Sequence, residues 1–223
     1  MGNIKNQMAV VGILTIAAVT VIITVAWATF NSTLSLEDNV DVTVSKWDIE
    51  FTTNHDVNWN DVQVINGYTR GQATINSNNP LVIDSKKTIN GSVGNFVEVG
   101  DEITYNWYLV NFGTFNSNAS ITGLLDETIN MNEDFKNVKL ICTSKDTNKI
   151  SNDQAQEICD NSIYARVDVL DTNNAPVFVL TSKYGNSSYR KVVLDIKYVE
   201  NSNYDLSNID ILINTISFSS TQV

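Results

Sequence analysis

Few side chains in this 223-residue sequence are suited to chemistry. A single histidine, His55, lies in Asn54-His55-Asp56-Val57-Asn58-Trp59-Asn60-Asp61. One imidazole rules out an HExxH zinc site and makes any Ser-His-Asp triad depend on this residue. Its polar, Asn-rich surroundings fit a solvated surface group better than a general base. Asp56, Asn58, Asn60 and Asp61 have the spacing of a calcium loop, but Asp61 stands where the loop needs glycine. Gly67 stands where it needs a bidentate glutamate. Calcium held between loops therefore stays open, and no other cofactor is expected. Asp168 with Asp171, and Asp205 with Asp210, read as solvated turn carboxylates. Neither a G-x-S-x-G elbow nor a glycine-rich phosphate loop occurs. The chain is not expected to be an enzyme, and no catalytic, cofactor-binding or metal-ligating residue is assigned.

The stretch that decides where the chain resides is apolar. No charge occurs from Asn6 to Leu36, and Met8 to Ala28 is apolar apart from glycine and threonine. About 20 such residues, rising 1.5 Å each as a helix, cross the ~30 Å hydrocarbon core of a bilayer. Lys5 precedes the segment and Glu37, Asp38 and Asp41 follow it, which orients its start toward the cytoplasm. Residues 1–28 are thus expected to be a hydrophobic helix serving as signal peptide or signal anchor, and 29–223 an extracellular domain. Ala26-Trp27-Ala28 is an A-x-A-like site before Thr29. Cleavage there, or retention of a membrane anchor over 8–28, both stay open. The location is outside the cell or on its surface.

Charge narrows the partners. Fourteen basic against 25 acidic residues give a net charge of −11. Nucleic acid is excluded as a partner, because phosphate contacts need clustered Lys and Arg. The only cysteines are Cys142, at the end of an expected strand, and Cys159, in an expected helix that starts with Ser151-x-x-Gln154. In an exported domain two cysteines usually pair. Two buried thiols are the alternative, and two cysteines without clustered histidines do not fill a zinc shell.

Past the leader the hydrophobic period is two. Ile103, Tyr105, Trp107 and Leu109 share one face, as do Val192, Leu194, Ile196 and Tyr198, and then Ile209, Ile211 and Ile213. Val40, Val42 and Val44 are out of phase with Trp47, Ile49 and Phe51, which predicts a bulge or a crossing between sheets. Further strands are expected at 62–65, 72–75, 93–98, 138–142, 164–170 and 177–181. Turns are expected at Asn66-Gly67, Asn90-Gly91, Gly100-Asp101 and Gly185-Asn186. About ten short strands imply an all-β antiparallel sandwich, jelly-roll or immunoglobulin-like, with one short helix. Trp107 is a core residue on this reading. Trp59, in the polar loop, is a candidate contact for a partner.

Three segments carry a resemblance. The leader ends in Ala28-Thr29-Phe30-Asn31-Ser32-Thr33 and runs into a valine-rich strand and Trp47-Asp48-Ile49-Glu50-Phe51. Gly100-Asp101-Glu102-Ile103-Thr104-Tyr105 is followed by Val110-Asn111-Phe112-Gly113-Thr114. A closing strand from Ile209 to Phe218 ends in Ser-Ser-Thr-Gln. Together they resemble the TasA/camelysin-like secreted β-sandwich proteins of Gram-positive bacteria. The resemblance implies a biofilm-matrix or cell-surface protein whose mature N-terminal segment inserts as a strand into the next subunit. Leu34, Leu36, Val40, Val42 and Val44 would be the donor-strand side chains, and self-association into fibres the main partnership. The alternative is a membrane-tethered module that contacts a protein or glycan through its loops.

Overall fold

The computed structural model describes residues 35–36, 40–41, 46–131, 134–173, 175–199 and 206–223. The chain divides into two units, 1–45 and 46–223. In the first, β1 (Ser35–Leu36) and β2 (Val40–Asp41) form a two-residue antiparallel pair, Ser35 opposite Asp41 and Leu36 opposite Val40. The expected leader over 8–28, the cleavage residues Ala26, Ala28 and Thr29, and Leu34, Val42 and Val44 lie outside the described residues.

The second unit is an antiparallel two-sheet sandwich. One sheet contains β3 (Ile49–Thr52), β5 (Gly67–Arg70), β8 (Glu102–Asn111), β13 (Ile163–Val169) and β15 (Tyr189–Tyr198). Its order is β13-β15-β8, with β3 and β5 sharing the far side of β8. The other contains β4 (Gln63–Val64), β6 (Val82–Asp84), β7 (Thr88–Ser92), β9 (Ser117–Thr122), β12 (Leu140–Ser144), β14 (Phe178–Leu180) and β16 (Ile209–Gln222). Its order is β14-β9-β16-β7-β6-β4, and β12 pairs with the early half of β16. A separate hairpin joins β10 (Leu124–Met131) to β11 (Asp134–Val138).

The period-two faces meet as expected. Ile103, Tyr105, Trp107 and Leu109 of β8 are fully buried, and so are Ile209, Ile211 and Ile216 of β16. Phe51 ties the layers together, meeting Trp107 edge-on at 6.2 Å and Phe218 of the opposite sheet at 4.9 Å. Such T-shaped pairs place the positive ring edge on the negative face. β3 starts at Ile49, and Trp47, expected to share its buried face, stands 45% exposed ahead of it.

Several expected strands need correction. At 72–75 only one bridge forms, Thr74 with Asn95, and 93–98 is irregular although Val93 and Phe96 are buried. The stretch 138–142 is split between the end of β11 and β12. Asn90-Gly91 is not a turn but lies inside β7, where the pairing with β16 shifts between Ile213 and Ile216. Gly91 has φ +127°, and a Cβ there would collide with the Pro80 carbonyl oxygen. The glycine marks a close backbone approach in a strand, which a dipeptide turn signal does not distinguish.

The helix α1 (Asn152–Ser162) covers a sheet edge. Ser151 caps it: its hydroxyl accepts from the Gln154 N–H, and the Gln154 side chain accepts from the Ser151 N–H. On the next turn Gln156 turns to β12. Its Oε1 accepts from the Cys142 N–H at 3.0 Å and its Nε2 donates to the Leu140 carbonyl at 3.1 Å. One side-chain amide thereby satisfies the donor and acceptor that a neighbouring strand would have taken. Cys142 and Cys159 form the disulfide that pins this arrangement, with Cα atoms 6.4 Å apart across 17 positions. In the chain-entropy account, closing a loop of that length stabilises the fold by about 3 kcal/mol. Replacing both cysteines with serine is expected to cost about that much in urea denaturation. A cost below about 1 kcal/mol would show that Gln156 and the buried face of α1 hold the edge without it.

Candidate functional site

The residues behind the resemblance turn out to organise loops. Asp101 is fully buried, and its carboxylate accepts from the backbone N–H groups of Gln72 (2.7 Å), Val97 (2.7 Å) and Glu98 (3.0 Å). Burial alone would raise its pKa, but these three donors outweigh it and hold the carboxyl below the usual value of 3.8. Tyr105 donates from its hydroxyl to the Val93 carbonyl at 2.5 Å, and burial pushes its phenol up to about 12. The irregular 93–98 segment is thus fastened at both ends, by Tyr105 of β8 and by Asp101 just ahead of β8. Asn111 does the same for the next loop. Its Nδ2 donates to the carbonyls of Phe115 (2.7 Å) and Thr181 (3.1 Å), and its Oδ1 accepts from the Gly113 N–H (2.9 Å). Gly113 is required there because a Cβ would strike the Lys46 carbonyl oxygen.

The edges of the sandwich are where the arrangement can do something. The outward backbone of β13 is bridged at Val167: the Asn137 side chain donates to its carbonyl (2.8 Å) and accepts from its N–H (2.7 Å). Next to this bridge, a cleft of about 350 Å³ opens between the edges of the two sheets. Ile121, Leu124, Leu125, Val169 and Phe178 form its apolar wall, with Asp168 and Thr172 at its polar side. β14 borders it as the outermost strand of its sheet, with Val177 and Val179 exposed. The Arg190 guanidinium contacts the Val179 carbonyl at 3.3 Å. An apolar slot beside an outer strand suits an extended peptide with alternating apolar side chains. Sequence reading missed this site. Ser117-Asn118-Ala119-Ser120-Ile121-Thr122 is too polar to read as a strand, although β14 was expected.

His55 is not the free surface group expected from its loop. Its ring stacks on Tyr189 at 4.1 Å and meets Tyr108 edge-on at 5.0 Å, and Nδ1 lies 2.9 Å from Asp56. Both tyrosines sit on the outer face of the five-stranded sheet, so His55 fastens its loop there. Trp59 is 44% exposed. Glu50, on β3, is 1% exposed. The Lys86 Nζ stands 2.7 Å from Glu50 Oε2 as its ion-pair partner, and no other described donor reaches the carboxyl oxygens. Burial raises the Glu50 pKa above its ordinary 4.5, and the nearby lysine only partly offsets this.

Among the described residues, no group of three or more His, Cys, Asp or Glu side chains converges as a metal site. No described helix is long and apolar enough to cross a membrane. Fold and edges define an all-β antiparallel sandwich with a disulfide-tied helix. Comparison with protein-family models, curated proteins and solved structures found no match.

The Asp101 geometry has a checkable consequence. A folded-state pKa below the unfolded one contributes stability above the unfolded value and loses it as pH falls through the folded value. Asp101→Ala removes the acceptor shared by three part-buried N–H groups and is expected to cost about 3 kcal/mol at pH 7. Below about pH 4 the difference from wild type should shrink progressively, because the unfolded carboxyl takes up its proton there while the folded one does so only at lower pH. Denaturation at pH 7 and pH 3 checks this. A difference that stays constant would rule out the charged form as the organiser.

Proposed function

We propose that this chain is an exported structural protein of the cell surface or biofilm matrix. Its segment from Thr29 to Val44 would assemble fibres by adding to the sandwich of the next copy. The observation that carries this reading is the pairing of β1 and β2. Among the described residues they pair with each other, in a two-stranded sheet of their own, and belong to neither sheet of the sandwich. Strands that join neither sheet of the sandwich could join a sheet of another copy.

The cleft between β13 and β14 supports the same reading. Its wall is apolar, and β14 beside it is the outermost strand of its sheet. Leu34, Leu36, Val40, Val42 and Val44 supply apolar side chains at alternate positions in two short runs. Main-chain hydrogen bonds would give affinity and the apolar side chains would set register. Such a head-to-tail contact does not close on itself and propagates a filament. The likeness to TasA/camelysin-like proteins and the apolar run over 8–28 support export, with cleavage after Ala28 releasing the subunit. A second reading, a membrane-tethered module that binds a protein or glycan, draws on the exposed Trp47 and Trp59.

Chains beginning at Thr29 and at Lys46 separate the two. The longer one is expected to form filaments in electron micrographs, and the shorter to stay monomeric in sedimentation. If the longer chain is monomeric at every concentration and pH tried, the fibre reading fails and the module reading takes its place.

A further inference from the structure

Lys86, Asn58 and Glu50 meet in a way that neither assembly nor loop packing uses. Lys86 Nζ lies 2.6 Å from Asn58 Oδ1 and 2.7 Å from Glu50 Oε2. The other end of the Asn58 carboxamide is also held, since Nδ2 donates to Asp48 Oδ2 at 3.1 Å. With a C=O bond of about 1.23 Å, an amine hydrogen-bonded to Oδ1 at 2.6 Å lies about 2.9–3.8 Å from the carbonyl carbon, on the oxygen side. A turn of the exposed Asn58 carboxamide would bring its carbon face to the amine, the alignment that a near-attack conformer needs.

The position of Lys86 is itself unusual. The turn between β6 and β7 places Ser85 at φ +52° and Lys86 at φ +64°. Such turns favour Asn-Gly, so backbone preference does not account for a lysine there. The turn is held from outside by the Phe51 N–H, which donates to the Lys86 carbonyl at 2.7 Å. The side chain is directed onto a carboxyl group that water does not reach.

We propose that Lys86 and Asn58 become joined by an intramolecular isopeptide bond, with Glu50 as the proton-transfer group. Glu50 takes a proton from the Lys86 ammonium, giving a neutral carboxylic acid and a neutral amine. Burial of Glu50 disfavours its charged form and so makes it the better proton acceptor. The amine lone pair attacks Asn58 Cγ, forming the C–Nζ bond, and the C–Nδ2 bond then breaks. Protons passed through Glu50 leave Nζ and reach the departing nitrogen. In balance, one lysine ammonium and one carboxamide give one secondary amide and one ammonium ion. No oxidant or metal takes part. Asn58 is exposed on its outer side, which gives the ammonia a way out. The bond would clamp the Asn54–Asp61 loop to the β6–β7 turn.

A second lysine–asparagine contact provides the internal control. Lys145 Nζ lies 3.0 Å from Asn95 Oδ1, but its carboxylate, Asp210, is 3.6 Å away and 47% exposed. That pair lacks a buried proton-transfer group and is expected to stay unlinked.

Tryptic digestion of the purified, folded full chain followed by mass spectrometry tests the proposal. The expected product is a branched peptide joining Lys86 to Asn58, lighter than its two parts by one ammonia and uncleaved after Lys86. Peptides carrying Lys145 and Asn95 should be linear. Asn58→Ala, at an exposed position, should abolish the branch, and Glu50→Gln should reduce it at least tenfold. Linear peptides with free Asn58 and cleavage after Lys86 in the wild type would overturn the bond, whatever the variants do. A branch undiminished in Glu50→Gln would overturn the role given to Glu50.

Discussion

A two-sheet sandwich has edges, and every backbone N–H and C=O along them must find a partner or face water. Most of the polar architecture in this protein answers that requirement. Gln156 stands in for a strand along β12, and the disulfide and cap of α1 keep it there. Asn137 does the same for Val167 of β13. Phe51 of β3 sends its outward N–H to the Lys86 carbonyl. The helix is thus a cover for one edge, stapled to the strand it protects. The side of the sandwich between β13 and β14 receives less cover and holds the apolar cleft.

The loops obey the same accounting. Asp101 and Asn111 sit at the two ends of β8 and gather backbone groups that belong to no ladder. A buried carboxylate with three N–H donors is costly to make and costly to lose. This explains why short motifs around a strand can mark a fold without marking a reaction. The Gly-Asp and Asn-x-Gly signals point to loop anchors, and a resemblance built on them speaks first to architecture.

How much of this the sequence made legible follows from the range of each interaction. β8, β15 and the start of β16 are half-buried along their whole length, so strict alternation revealed them. The capping box of α1 is local, and Ser151 and Gln154 announced it. β7 was hidden because Gly91 looked like a turn, and β9 because its outer face and two of its three inner positions, Ser117 and Ala119, are polar or small. The 93–98 segment looked like a strand because Val93 and Phe96 are buried. Its backbone is held instead by Asp101, by Tyr105 and by a contact between Val93 and Ile211. The Lys86–Asn58–Glu50 contact joins three points spread over 36 positions, which no local pattern can bring together. His55 read as solvated for the same reason: Tyr108 and Tyr189 come to it only through the sheet.

Amide hydrogen exchange on the folded chain, resolved residue by residue, tests the account of the edges most directly. If Gln156 and Asn137 act as strands, the N–H groups of Cys142 and Val167 will exchange as slowly as those in the middle of β8. The outward N–H of Val179 on β14 will exchange far faster. Exchange of Cys142 and Val167 at the rate of Val179 would contradict the account, showing those edges to be open and the β14 side to be nothing special.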